Sequence, residues 1–229
     1  MLRYLHWRLR FELCNLKRLL GTGERTVDYL AFGANLSDDI LRERCMAPLA
    51  ARPFTLRDHG LRFDHPAPWA DCGYASAEPA PGESLYGYVY TLWERDAARM
   101  DFYEVVPVLG RYRRSVVEQD GETVFFYRTN RSTPRLRPTA EYLGYIVEGL
   151  QSHPDVAAEY LEWLRAIEPA EPGAMVSNYH CGRRIAGTGP FATLRDAYQR
   201  LTLKCFLALL YRYSPTEWLI RLRERPGRD

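Results

Sequence analysis

The sequence has few cysteines and no pairing pattern among them. Five occur in 229 residues, and no two have the Cys-x-x-Cys spacing. An odd number of scattered cysteines argues against a disulfide framework, and the missing ligand spacing argues against a structural zinc site. We therefore expect a protein of a reducing compartment that binds no metal.

Long hydrophobic runs are absent as well. Charged residues interrupt positions 1–20, so the uncharged apolar core of a secretory signal is missing. Lys204 interrupts the apolar stretch 201–211, which falls short of the roughly 20 residues of a membrane span. We expect a cytoplasmic protein, at most peripheral at the inner face of a membrane.

An excess of charge of one sign is also missing, since 31 Lys and Arg face 29 Asp and Glu. The charges are nevertheless segregated: residues 1–25 and residues 190–229 each carry a net +4, which leaves a net −6 in between. No RNA-reading motif accompanies the basic ends, so we expect no nucleic-acid partner.

Both basic ends have amphipathic patterns. Leucines spaced three and four residues apart predict a helix over residues 1–20, with Tyr4, Trp7 and Phe11 on the opposite side. Residues 190–213 predict a second helix, and Ser214-Pro215 begins a third. We divide the chain into an N-terminal helix (1–25), a central domain (26–169) and a linker with C-terminal helices (170–229).

The central domain mixes strands and helices. Strands are predicted at 26–32, 84–92, 115–118 and 123–127, the last two joined by an Asp-Gly hairpin turn. Helices are predicted from Ser37 to about Cys45, and over 94–103, 139–150 and 155–167.

Two features of this domain can carry chemistry. The turn Gly33-Ala34-Asn35-Leu36 places backbone N–H groups at a strand end, where they are suited to a carboxylate or an oxyanion. Asp101 and Glu104 lie near a helix end, and a carboxylate in such an apolar setting can act as a base.

These residues resemble a known family. Asp28-Tyr29-Leu30-Ala31-Phe32-Gly33-Ala34-Asn35-Leu36, then Gly87-Tyr88-Val89-Tyr90, then Met100-Asp101-Phe102-Tyr103-Glu104 are similar in order and spacing to the motifs of the gamma-glutamylcyclotransferase-like (AIG2/BtrG-like) family. The resemblance covers about residues 27–167.

The resemblance implies an α+β fold, a compact mixed β-barrel flanked by helices, to which this chain adds N- and C-terminal amphipathic helices. It implies cyclisation of a γ-glutamyl amine or amino acid to 5-oxoproline, without a cofactor. Glu104 matches the catalytic acid/base. The residues that match substrate-binding positions are Phe32, Gly33, Ala34, Asn35, Leu36, Tyr112 and Tyr142.

The sequence also departs from the family pattern. Phe32 and Ala34 replace a tyrosine and a serine, and Val105 replaces the glycine that follows the acid. An alternative therefore stays open: a catalytically degenerate subunit or adaptor that docks on a membrane protein complex or a membrane surface through residues 1–22 and 190–225. In a third interpretation the terminal helices merely pack on the barrel.

Overall fold

The computed structural model describes residues 2–22, 25–66, 72–104, 112–130, 132–170 and 214–223. The elements within these ranges are α1 (Leu2–Leu20), β1 (Thr26–Ala31), a 3₁₀ turn (Ala34–Leu36), α2 (Asp38–Glu43), β2 (Ala50–Pro66), β3 (Gly73–Trp93), α3 (Glu94–Tyr103), β4 (Tyr112–Gln119), β5 (Glu122–Thr129), α4 (Ala140–Leu150), α5 (Ala158–Ala166) and α6 (Pro215–Arg223). The predicted helix 190–213, together with Val105, lies outside the described residues.

The strands form a five-stranded mixed sheet in the order β2-β3-β1-β5-β4. Strands β1 and β5 are parallel where Tyr29 lies opposite Phe125, and the other neighbours are antiparallel. Helices flank the sheet, which confirms the α+β class.

Within the described residues the predicted β-barrel is not closed, because β2 and β4 are the two edges of the sheet. These edges approach each other at Gln119, whose side-chain amide donates to Thr55 O at 2.8 Å and accepts from Arg57 N at 3.0 Å. A side chain, rather than a ladder of backbone hydrogen bonds, therefore bridges them at this point.

The longest strands were the least predictable. The sequence predicted a strand over 84–92, but β3 begins at Gly73, and its partner β2 was not predicted at all. Register shifts occur between Arg57 and His59 and between Arg62 and His65. Each shift moves later side chains to the other face of the sheet, which breaks the two-residue alternation that identifies a strand.

The predicted helices are close to those observed. Helix α3 has the predicted bounds, and α4 begins after Thr139, whose hydroxyl accepts from Tyr142 N at 3.2 Å. Helix α2 ends at Glu43 and lacks the predicted side-chain cap from Ser37, whose carbonyl, not its hydroxyl, starts the helix. Helix α5 starts three residues later than predicted.

The two described terminal helices pack on the central domain. Trp7 and Phe11 stack on Phe102 of α3 at centroid distances of 4.2 and 3.9 Å. Helix α6 begins as predicted at Ser214, whose hydroxyl accepts from Glu217 N at 3.0 Å. Glu12 of α1 accepts from that hydroxyl, so α1 and α6 also contact each other.

Candidate active site

The turn after β1 and the end of α3 meet in the structure. Asn35, in the 3₁₀ turn, is 6% exposed, and its side-chain amide donates to Glu104 Oε1 at 3.3 Å. The same amide nitrogen donates to Tyr29 Oη at 2.7 Å. The structure therefore brings the predicted acid/base to the predicted turn across 69 residues of sequence.

Arg44 completes this contact and was not among the predicted site residues. Its Nη1 lies 2.7 Å from Glu104 Oε1 and donates to Asn35 Oδ1 at 2.8 Å. Burial alone lowers the pKa of Arg44, but the charge of Glu104 and the hydrogen bond to it outweigh burial, and the net shift is upward. The ion pair sets the Arg44 charge directly against the predicted acid/base.

Tyr142 reaches the same turn from α4. Its hydroxyl accepts from Ala75 N at 3.1 Å. Gly33 makes this approach possible, since a Cβ at that position would lie 2.8 Å from Tyr142 Oη. Burial, the largest cause, and the charge of Glu104 raise the pKa of Tyr142 to about 12, so the hydroxyl stays protonated at neutral pH.

Tyr112 lies on the other side of Ala75. Its hydroxyl donates to Ala75 O at 3.2 Å, and its ring stacks on His65 with centroids 3.7 Å apart. Burial, followed by the charges of Tyr142 and Glu104, holds the pKa of Tyr112 well above its ordinary value. Three buried tyrosines and one partly buried tyrosine interact electrostatically with Glu104: Tyr29, Tyr112, Tyr127 and, partly buried, Tyr142.

Two of the predicted substrate-binding side chains, Phe32 and Leu36, are buried beside the turn. Phe32 is 6% exposed and packs edge-on against Phe126 with centroids 6.3 Å apart. Leu36 is also buried and contacts α4 at Gly149. Both side chains therefore belong to the core.

Asp101, the second acidic candidate, has a different setting. It accepts from Arg114 Nε at 2.6 Å and from Tyr127 Oη at 2.8 Å. Burial raises the pKa of Asp101, and these two partners oppose the shift. Asp101 thus ties α3 to strands β4 and β5, whereas Glu104 contacts the turn.

The described residues form neither a metal-binding cluster nor a membrane-spanning helix. Within the described ranges, no three His, Cys, Asp or Glu side chains are grouped so that they could hold a metal ion. None of the described helices is both long and apolar enough to span a membrane.

Comparison with known proteins gives structural matches only. No family model and no curated protein matches the sequence. A solved structure described as a gamma-glutamyl cyclotransferase is 25% identical, with a TM-score of 0.55 over 67% of this chain and 94% of its own. An uncharacterized protein from Homo sapiens is 26% identical, with the same TM-score over 67% of this chain and 95% of its own. YkqA from Bacillus subtilis, at 15% identity, shares the fold, with a TM-score of 0.52 over 68% of this chain and 60% of its own.

Proposed function

We propose, from the premise that the chain belongs to the gamma-glutamylcyclotransferase-like fold family, that it cyclises a γ-glutamyl amine or amino acid. The products are 5-oxoproline and the released amine. The observation that carries this proposal is the position of Glu104, held by Arg44 and Asn35 at the turn 33–36.

The reaction needs no nucleophile from the protein. The substrate's α-amine attacks its own γ-carbonyl carbon, so a C–N bond to the α-nitrogen forms and the bond to the leaving nitrogen breaks. Glu104 takes the proton that the attacking amine loses and returns it to the leaving nitrogen. Because the two reacting groups belong to one molecule, holding it folded can supply roughly 7–11 kcal/mol of the barrier reduction.

The turn and its tyrosines supply the binding groups in this proposal. Backbone N–H groups of residues 33–35 hold the glutamyl carboxylate or the oxyanion of the intermediate, since the Leu36 N–H already donates to Gly33 O at 3.0 Å. The Tyr142 hydroxyl, which accepts from Ala75 N, directs its own hydrogen to a substrate oxygen. Tyr112 holds Ala75 in place through the hydrogen bond to its carbonyl, on the side opposite Tyr142. The low dielectric of a buried tyrosine cluster strengthens each of these interactions.

The test is release of 5-oxoproline from a panel of γ-glutamyl amines and amino acids. Glu104→Gln keeps the size of the side chain and removes the base, so kcat should fall by at least about 100-fold. Asp101→Asn, three residues earlier on α3, is the matched control and should keep most of the activity. Loss of activity in the Asp101 variant alone would move the acid/base role to that residue.

The same panel tests the degenerate-subunit alternative. A folded wild-type protein that releases no 5-oxoproline from any member of the panel would contradict the enzyme proposal. Circular dichroism and a cooperative thermal transition establish that the protein tested is folded.

We also propose that the enzyme docks on an anionic membrane surface through the outward face of α1 and α6. Seven large apolar side chains on this face are between 41% and 69% exposed: Leu9, Leu13, Leu16, Leu20, Trp218, Leu219 and Leu222. On α1 they lie opposite the buried Trp7 and Phe11.

The charge around this outward face favours anionic lipid as its partner. Arg10 and Lys17 are exposed on α1 beside the leucines. A neighbouring cleft of about 300 Å³ contains the side chains of Arg18, Arg95 and Arg223 against one acid, Asp96. Exposed leucines beside an excess of arginine and lysine are typical of helices that lie in the interface of anionic membranes.

Vesicle sedimentation tests the docking proposal. Wild-type protein should sediment with phosphatidylserine-containing vesicles but not with phosphatidylcholine alone, and less at high salt. Leu13→Ser with Leu16→Ser should abolish sedimentation, whereas Val116→Ser, at an apolar site that is 65% exposed on β4, should not. Self-association that the leucine variant abolishes, without vesicle binding, would show a second copy on this face and overturn the proposal.

A further inference from the structure

A buried carboxylate joins the C-terminal helix to the central domain. The Glu217 side chain on α6 is 7% exposed. Its Oε2 accepts from Arg99 Nη2 at 3.0 Å, and its Oε1 accepts from Tyr103 Oη at 2.9 Å and from Arg221 Nη2 at 2.9 Å. Two of these partners, Arg99 and Tyr103, belong to α3, and Glu104 is the C-cap of that helix.

Arg99 connects Glu217 to the segment that carries Arg44. Its side chain is fully buried, and its Nη2 also donates to Arg44 O at 2.9 Å. Arg221 donates to the preceding carbonyl, Glu43 O. Guanidinium groups therefore satisfy the carbonyls at the end of α2, where the helix dipole favours positive charge.

Tyr103 makes the second connection. Its hydroxyl donates to Glu217, while its ring lies under the Arg44 guanidinium, 5.3 Å from ring centroid to Cζ. Arg99 therefore binds the Arg44 carbonyl, and the Tyr103 ring contacts the Arg44 guanidinium. Arg99 and Tyr103 are in turn both hydrogen-bonded to Glu217. From this position Arg44 reaches Glu104 Oε1 at 2.7 Å.

We propose that Glu217 is a positioning residue for the reaction, which it affects by fixing Arg44 and, through Arg44, the orientation of Glu104. The C-terminal helix is then a functional part of the active site, although it contributes no group that touches the substrate. The kinetic part of this inference rests on the proposed cyclotransferase function. The physical basis is that Arg99 is buried without solvent, so its orientation depends on the charge of its partner.

Glu217→Gln tests the inference, because it keeps the shape of the side chain and removes its charge. Since Glu104 acts in the proton transfers, a misplaced carboxylate should lower kcat by about tenfold or more with KM within about twofold. Glu217→Asp, which restores the charge, should recover part of kcat. If Glu217→Gln does not fold, Tyr103→Phe removes the hydroxyl bond to Glu217 while keeping the ring beside Arg44, and should also lower kcat.

The matched control is Glu12→Gln, which weakens the attachment of α6 at Ser214 without touching the Arg99–Arg44 connection. It should lower the melting temperature but leave kcat unchanged. An equal loss of kcat in Glu12→Gln and Glu217→Gln would show that α6 acts only through stability and would overturn the proposal.

Hydrogen exchange separates this inference from the proposed function, because it needs no substrate. Backbone amides of residues 42–46 should exchange faster in Glu217→Gln than in wild type, and should be unchanged in Glu12→Gln. Unchanged exchange in an active Glu217→Gln protein would overturn the coupling alone. If wild type proves inactive, the cyclotransferase proposal fails, and faster exchange would still support the coupling of Glu217 to Arg44.

Discussion

Position 33 requires glycine because a side chain there would clash with its neighbours, and not because of its backbone angles. Its φ of −118° is available to any residue, but a side chain there would meet Tyr142 Oη at 2.8 Å and Ala75 Cβ at 3.3 Å. The Tyr142 ring cannot turn away freely, because its hydroxyl accepts from Ala75 N. Tyr142 of α4 therefore occupies the space that a side chain at position 33 would need.

Gly33→Ala should destabilise the protein by roughly 1–3 kcal/mol, the usual cost of overpacking. Tyr142→Phe removes the atom that the new methyl group meets, so the double variant should be more stable than the sum of the two single changes predicts. Urea unfolding of the three variants measures this coupling. Strict additivity would show that Gly33 and Tyr142 do not contact each other.

Arg44 and Glu217 show how a charged residue can escape prediction. Each looks like an ordinary surface residue in the sequence, since each lies near the end of a short amphipathic helix. Their roles come from partners that are distant in the chain: Glu104 for Arg44, 60 residues away, and Arg99 for Glu217, 118 residues away.

At the scale of elements, α4 docks on the 3₁₀ turn through a glycine. A Cβ at Gly149 would collide with Leu36 Cβ and crowd Leu36 O, so the helix can approach the turn only where a side chain is missing. Gly144, on the same helix, has no atom within 4 Å of the corresponding position. The two glycines lie on one helix, but a side chain would clash at Gly149 and would have open space at Gly144.

Gly149→Ala should destabilise the protein and push α4 off the turn, which lowers activity as well. Gly144→Ala, the matched control, should stabilise it by up to about 1 kcal/mol, because alanine favours the helix more than glycine does. Thermal unfolding of both variants gives the comparison. Equal shifts of the melting temperature in the two variants would contradict the close packing of α4 on Leu36.

At the scale of the whole molecule, the N-terminal helix contributes to the core. Phe11 of α1 is 3% exposed and stacks on Phe102 of α3. Leu13, two residues later, is 49% exposed on the outward face. The helix is therefore buried on its aromatic side and exposed on its leucine side.

Phe11→Ala should cost about 3–5 kcal/mol of unfolding free energy, as for other buried aromatic side chains. Leu13→Ala should stay within about 0.5 kcal/mol of wild type, as exposed positions usually do. Urea denaturation measures both. A Phe11 variant as stable as the Leu13 variant would mean that α1 is an appendage rather than part of the folded domain.

Local signals in the sequence predicted the turn, the carboxylate and most helices. Helix α3 has its predicted bounds, the Asp120-Gly121 turn joins β4 to β5, and Ser214 begins α6. These features depend on caps, turns and periodicity within a few residues, so a single sequence contains their cause. The order of motifs also indicated the fold family.

The sequence by itself therefore determined most helices, the β4–β5 hairpin and the amphipathic pattern of both ends, and its resemblance to a family made Glu104 the candidate acid. Only the tertiary structure decided that the sheet stays open, that Arg44 pairs with Glu104, and that Glu217 lies behind them. Whether a sheet closes into a barrel, and which charged residues pair, depends on which distant segments of the chain pack together. A local sequence pattern does not specify those contacts. The sequence has no Cys-x-x-Cys spacing and no long apolar run, which limited what we expected of the protein, but its site depends on contacts between residues far apart in the chain.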